Sequence, residues 1–307
     1  MCSSDLLRLV RADKGLLLWV DLDNPTPEEI KGILEGVFGF HPLAIEDCVQ
    51  PNSLPKVEDY EDYLFIVTHA VDFTRTEKFN TTELDLFLGK DYLVTFHTAP
   101  LRSVTALIDR TTKNVGAGPR GPDRIAHTLV DLLVDNYAPV IEELRAELEE
   151  LEEHVLARES VHQTLVNEML HVRGDFTHLR TIVRPQRDVI ERLARGDSKM
   201  IRPKLLPYFR DLRDNLARLE DTAAGYHERL MMAFDIYLNK AAFEANEGIK
   251  FLTAITAVTI PVMVVGTWFG MNFESMPELK NGYPWALGFT VLTTILMVIY
   301  LRKKRWF

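Results

Sequence analysis

Gly270-Met271-Asn272 closes an apolar stretch, residues 251–273, that contains no Asp, Glu, Lys, Arg or His. Asn272 brings a neutral amide to that end, and an amide oxygen can help hold a cation without carrying charge itself. The same residue has a plain structural use, because Asn is second only to Gly at helix C-termini. From the residues alone the cap is the better reading, and the two roles can coexist. Other chemistries lack their residues. The nine histidines are scattered, with no His-Glu-x-x-His and no close Cys-His set. No Gly-x-Ser-x-Gly elbow occurs. Residues 116–122, Gly-Ala-Gly-Pro-Arg-Gly-Pro, lack the Lys-Ser/Thr of a phosphate loop and read as a linker. His171 and His178 stand one heptad apart, a spacing that suits a helix surface or interface.

The elements that must position Asn272 are apolar and long. Residues 251–273 and 283–301 are each uncharged and long enough to cross a hydrocarbon core, which takes about 20 helical residues. The nine residues between them, 274–282, are too few to fold alone. This reads as a helical hairpin across a lipid bilayer. Residues 1–7 are polar and mixed, with no apolar segment behind a basic start, so the large N-terminal part is expected to stay in the cytoplasm. Arg302, Lys303, Lys304 and Arg305 follow the second span at once, and basic flanks stay on the cytoplasmic side. The intervening loop carries Glu274, Glu278 and Lys280. Two spans with both termini inside is the topology these facts allow.

The net charge of −10 argues against a nucleic-acid partner, and Glu142, Glu143, Glu147, Glu149, Glu150, Glu152 and Glu153 crowd one segment. Cations are the natural counter-species, although an acidic helix is most often a solvated face. The two cysteines, Cys2 and Cys48, fit a reducing compartment.

Upstream, residues 16–20 read as a strand and Thr26-Pro27-Glu28-Glu29 as the start of a helix reaching about Phe38. His41-Pro42 starts a short helix through Glu46 and Asp47. Residues 63–71, 83–88 and 92–97 read as further strands, making a small α/β layer. Beyond the linker the apolar spacing turns helical: Ile141 to Val155, Leu165 to Val183, and Leu212 to Tyr237 each step by threes and fours. The third seam runs from about Tyr208 into the first span without a strong breaker, which predicts a helix on the order of 90 Å long. Such a helix must pack on its neighbours or on copies of itself.

Gly270-Met271-Asn272-Phe273-Glu274-Ser275-Met276-Pro277-Glu278-Leu279 resembles the signature of CorA-type magnesium channels. Asn246-Glu247 and Lys250-Phe251-Leu252-Thr253 are similar to the family's entrance to the first span, and Pro261 stands at its mid-span proline. His41-Pro42-Leu43 with Glu46-Asp47, Pro55-Lys56-Val57-Glu58, Tyr63-Leu64-Phe65-Ile66-Val67 and Tyr208-Phe209-Arg210-Asp211 extend the likeness to nearly the whole chain.

The resemblance implies an α+β cytoplasmic domain, then long helices and a two-span membrane hairpin, assembled as a homopentameric funnel. The implied segments are a cytoplasmic α/β domain (1–115), a helical, willow-like region (116–202), a cytoplasmic stalk (203–247), a pore-lining first span (248–272), an external loop (273–282), a second span (283–301) and a basic cytoplasmic tail (302–307). Five Asn272 side chains would ring the outer mouth. Gly270 would let the helix end open and add a backbone carbonyl, and Met271 would pack behind the ring. Magnesium holds its waters tightly, and no acid lies in the span to strip them, so neutral oxygens reading the hydrated ion fit. By the family's geometry one stripe faces the pore: Asn246, Ile249, Leu252, Thr256, Ile260 and Met263. Leu252, Ile260 and Met263 would gate by dewetting, with Asn246 as an inner polar ring. The family has threonine where Met263 stands, so a hydroxyl ring is lost here. Glu274 and Glu278 would gather cations outside.

No nucleotide motif and no proton-relaying residue lies in the spans, so passive flow is the economical mechanism. The membrane potential supplies about 2.3 kcal/mol per charge per 100 mV, roughly twice that for a divalent ion. The family closes on cytoplasmic magnesium held between subunits, and the matching carboxylates are Asp47 with Asp211, and Glu46 with Asp131 at a second site. Mg2+ would thus be both cargo and regulator, with no organic cofactor. Cobalt and nickel are plausible beside it. The rival is a zinc transporter of the ZntB type, whose motif commonly reads Gly-Ile-Asn; a membrane-anchored coiled coil is the structural alternative.

Overall fold

The computed structural model describes residues 17–50, 54–71, 81–113, 121–157, 163–271 and 282–304. It divides into two compact units, Met1–Ala233 and Phe234–Phe307.

In the first unit a five-stranded sheet runs in the order β1-β5-β4-β3-β2. Its strands are β1 (Leu18–Asp23), β2 (Lys56–Asp59), β3 (Tyr63–Val71), β4 (Thr81–Gly89) and β5 (Tyr92–His97). β1 lies parallel to β5, and the other neighbours are antiparallel. Every residue of β3 is buried, because helices cover both faces of the sheet.

On one face, α1 (Pro27–Ile30), a π-helical segment (Lys31–Val37) and α2 (Pro42–Val49) bring Leu34, Phe40, Ala44 and Cys48 onto Phe65, Val67, Phe87 and Phe96. Phe40 stacks on Phe87 with ring centroids 4.1 Å apart. Thr26 caps α1: its hydroxyl accepts from the Glu29 amide, and Glu29 accepts from the Thr26 amide at 2.8 Å. The expected α-helix to Phe38 therefore starts as predicted. It then widens to i→i+5 bonding, as in Phe38 N–H to Ile33 O at 3.1 Å. Gly32 and Gly36, both poor helix formers, lie in the widened part.

The other face is covered by α4 (Pro122–Asp135), which packs on β3, β4 and β5 through buried Ile125, Leu129 and Leu133. α3 (Arg102–Lys113) packs on α4. Neither β2 nor α3 is among the elements expected from sequence. β2 is four residues long with three charged side chains, and its pairing partner is β3, so no apolar pattern announces it.

α5 (Tyr137–Leu156), α6 (Gln163–Arg195) and α7 (Leu206–Phe269) carry the three seams. Buried Leu144, Leu148, Leu151 and Val155 face inward on α5, as do Phe176, Leu179 and Val183 on α6 and Leu212, Leu216 and Leu230 on α7. Ion pairs join the helices at their margins: Arg229 to Glu152 at 2.6 Å and Arg187 to Glu220 at 2.5 Å. α6 also grips the sheet. Its buried Gln186 accepts the His69 amide at 2.9 Å, and Arg192 donates to Val57 O at 2.8 Å.

The second unit holds the end of α7, which runs through Pro261, and α8 (Gly282–Lys303). A Cβ at Gly282 would meet the Phe269 ring at 3.2 Å, so a minimal residue lets α8 begin against the end of α7.

Candidate ion path and metal sites

α7 closes with one ordinary helical bond followed by one shorter-range turn. Gly270 N–H bonds to Gly266 O at 3.0 Å, and Met271 N–H reaches Trp268 O at 3.4 Å. A Cβ at position 270 would come within 3.0 Å of the Gly266 carbonyl, which is the local reason for glycine there. Met271 is exposed. Asn272, Glu274 and Glu278 lie outside the described residues.

Asn246, Ile249, Leu252, Thr256, Ile260 and Met263 are all exposed in the single chain, Leu252 and Met263 each at 66%. The Thr256 hydroxyl is occupied within its own helix, donating to Leu252 O at 2.9 Å. Exposure does not single out this stripe, because Phe251, Val262, Val264 and Trp268 on the other sides are also bare. Two helices are long and apolar enough to cross a membrane, and only 6% of each apolar window is buried.

The expected regulatory acids fall into two places within one chain. Glu46 and Asp47 sit on α2. Asp47 accepts from Lys56 Nζ at 2.5 Å, and Lys56 also reaches Glu58 at 3.1 Å. Glu46 accepts from Gln50 at 2.8 Å. Lys56 thus neutralises Asp47 in the isolated chain, a partner that the sequence contains in plain view but that no spacing rule assigns.

Asp131 on α4 and Asp211 on α7 meet around His127. Burial pushes the Asp131 carboxyl up; the charges of Asp135 and Asp211 add to the rise, while His127 and Arg124 oppose it. Burial holds His127 down, although the Tyr208 backbone and the charges of Asp131 and Asp211 pull the other way. The His127 ring stands edge-on to Phe209 with centroids 5.0 Å apart. Among the described residues no three His, Cys, Asp or Glu side chains converge as a metal cage within one chain. The structure therefore brings Asp131 and Asp211 together and leaves Glu46 and Asp47 apart from them.

A mixed sheet under helices and a long helix whose apolar end pairs with a second apolar helix, both long enough to cross a membrane, fit a membrane protein. The family model of the CorA-like Mg2+ transporter protein matches residues 14–303, and the chain belongs to that family of divalent-cation transporters. It is 33% identical to YfjQ of Bacillus subtilis, covering 94% of this chain and 89% of that one. It is 29% identical to the cobalt/magnesium transport protein CorA of Thermotoga maritima, covering 96% and 84%. In fold it is similar to the complete structure of the CorA magnesium transporter from Methanocaldococcus jannaschii, with a TM-score of 0.80, 24% identity and coverage of 94% and 91%. The ZntB cytoplasmic domain from Vibrio parahaemolyticus shares the fold of 72% of the chain at a TM-score of 0.61 and 14% identity.

Proposed function

We propose that the chain forms a homopentameric channel for passive, voltage-driven uptake of Mg2+ across the inner membrane, with Co2+ and Ni2+ as further cargo. Both termini stay in the cytoplasm. The observation that carries this reading is the bareness of the spans: two helices with 6% of each apolar window buried cannot enclose a water-filled path, so copies must supply the wall. The α7 stripe from Asn246 to Met263 faces the axis, and five Asn272 amides ring the outer mouth. Residues 251–269 and 283–301 contain no Asp, Glu, His, Lys or Arg, which supports conduction without a proton relay, and Met271 in Gly-Met-Asn disfavours the zinc-transporter alternative.

Asp47 of one subunit and Asp211 of the next hold cytoplasmic Mg2+, with Glu46 and Asp131 nearby. Carboxylates from different chains repel until a cation fills the gap, so binding favours the closed assembly. Within one chain Asp131 and Asp211 lie near enough for the Asp211 charge to add to the rise of the Asp131 carboxyl, which brings two of the four proposed acids to one place. The test is Asn272→Ala in reconstituted vesicles. Mg2+ flux is expected to fall at least tenfold with assembly intact; unchanged flux would remove Asn272 from the path.

A further inference from the structure

The ends of β1 and β5 meet over one buried histidine. Val20 and Leu22 of β1, with Val94 and Phe96 of β5, belong to the core under α2, so Asp21, Asp23, Thr95 and His97 share the opposite sheet face. The His97 side chain is 2% exposed, and its Nε2 lies 3.3 Å from Asp21 Oδ1. Its Nδ1 lies 2.8 Å from Ala99 O and 3.5 Å from Asp23 Oδ1. A backbone carbonyl can only accept, so Nδ1 carries a hydrogen. A neutral ring would then turn the Nε2 lone pair towards a carboxylate. Both ring nitrogens stand among acceptors, and only the imidazolium has a hydrogen on each. Among the described residues neither aspartate has another ion-pair partner. The neighbouring elements add no rival charge to this face. β4 turns Leu84 and Leu86 to it; the acids Glu83 and Asp85 face the other way with His69 of β3, around a cavity that the end of β5 also borders. α4 lays Ile125, Leu129 and Leu133 on the sheet, and its Asp123 is taken by Arg202. Arg102 of α3 lines a separate cavity with Glu143.

We propose that His97 is a buried, positively charged clasp that holds the end of β1 on β5, and that loss of its proton at alkaline pH releases that end. β1 is an edge strand with β5 as its one strand neighbour, so its hold on the sheet rests on this junction. Burial works against the charge, but the Asp21 carboxylate, the Ala99 carbonyl and the Asp23 charge outweigh it, and the His97 pKa is raised. A raised folded value fixes the sign: the clasp is complete below the ordinary histidine value of about 6.5 and is lost as the pH climbs through the higher one. The chain runs from β1 through α1 to α2, so release would loosen the approach to the proposed brake; the clasp itself does not depend on that reading.

Trp19 reads the clasp from within. Its Nε1 donates to Thr95 Oγ1 at 3.1 Å, and the Thr95 hydroxyl donates to Asp21 Oδ1 at 2.5 Å. With Trp268, Trp285 and Trp306 replaced by Phe, Trp19 is the sole tryptophan of the full chain in detergent. Its fluorescence is expected to titrate as one proton with a midpoint above about 6.5. Asp21→Asn is expected to lower that midpoint, and His97→Asn to remove the transition. A midpoint at or below about 6.5, no transition between about pH 6 and 10, or a transition that survives His97→Asn would overturn the proposal. Hydrogen exchange of the unaltered chain, corrected for the intrinsic rate at each pH, reads the release directly. Protection of residues 18–23 is expected to fall about tenfold across the same transition. Protection of β1 that stays level across it would also overturn the proposal.

Discussion

Lys56 is the residue most revealing about the proposed brake. Its ammonium lies 2.5 Å from Asp47, where a regulatory cation would have to sit, so lysine and metal compete for one carboxylate. Lys56→Gln is expected to lower several-fold the Mg2+ concentration that protects the cytoplasmic helices from protease. Asp47→Asn is expected to abolish that protection. If Lys56→Gln leaves the midpoint unmoved, Asp47 does not ligate the ion. At this scale the sequence is legible only through motifs. Asp47, Asp131 and Asp211 stand out by likeness to a family pattern. Their actual neighbours do not, because Lys56 and His127 reach them through the fold, not through a fixed spacing. Glu83 and Asp85 mislead further. They alternate with Leu84 and Leu86, which suggests a solvent-facing side, yet α2 covers that side and buries Asp85.

Elements are legible in the sequence where they bury one stripe or a continuous run. The spans, the three helical seams and strands β1, β3, β4 and β5 announce themselves by composition and period. α3 does carry apolar residues at helical spacing, Val104, Leu107 and Ile108, although it is not among the elements expected from sequence. β2 does not announce itself, since it is defined by its pairing with β3. The π-helical segment is likewise invisible to a 3.6-residue period. The aromatic stack that ties this segment to the sheet has a measurable weight. Phe40 is 3% exposed and lies on Phe87 at 4.1 Å, so Phe40→Ala is expected to destabilise the head by about 3–5 kcal/mol. Denaturant unfolding measures this; a loss under about 1 kcal/mol would mean the stack is not part of the core.

For the whole molecule, the decisive property is what covers the bare spans. Lipid covers apolar surface, but it cannot wall a path for a hydrated divalent ion. Native mass measurement of the detergent-solubilised chain is expected to give five copies; monomers or dimers alone would remove the pore. Composition predicts that the spans are apolar, and the family likeness supplies the number of copies, which no single-chain pattern encodes. The most direct measurement is Mg2+ flux into vesicles at low internal Mg2+, with voltage and pH gradient set independently. Flux that rises with inside-negative voltage and ignores the pH gradient is the predicted result. Absence of flux at every voltage, or flux that requires the pH gradient, would contradict passive conduction.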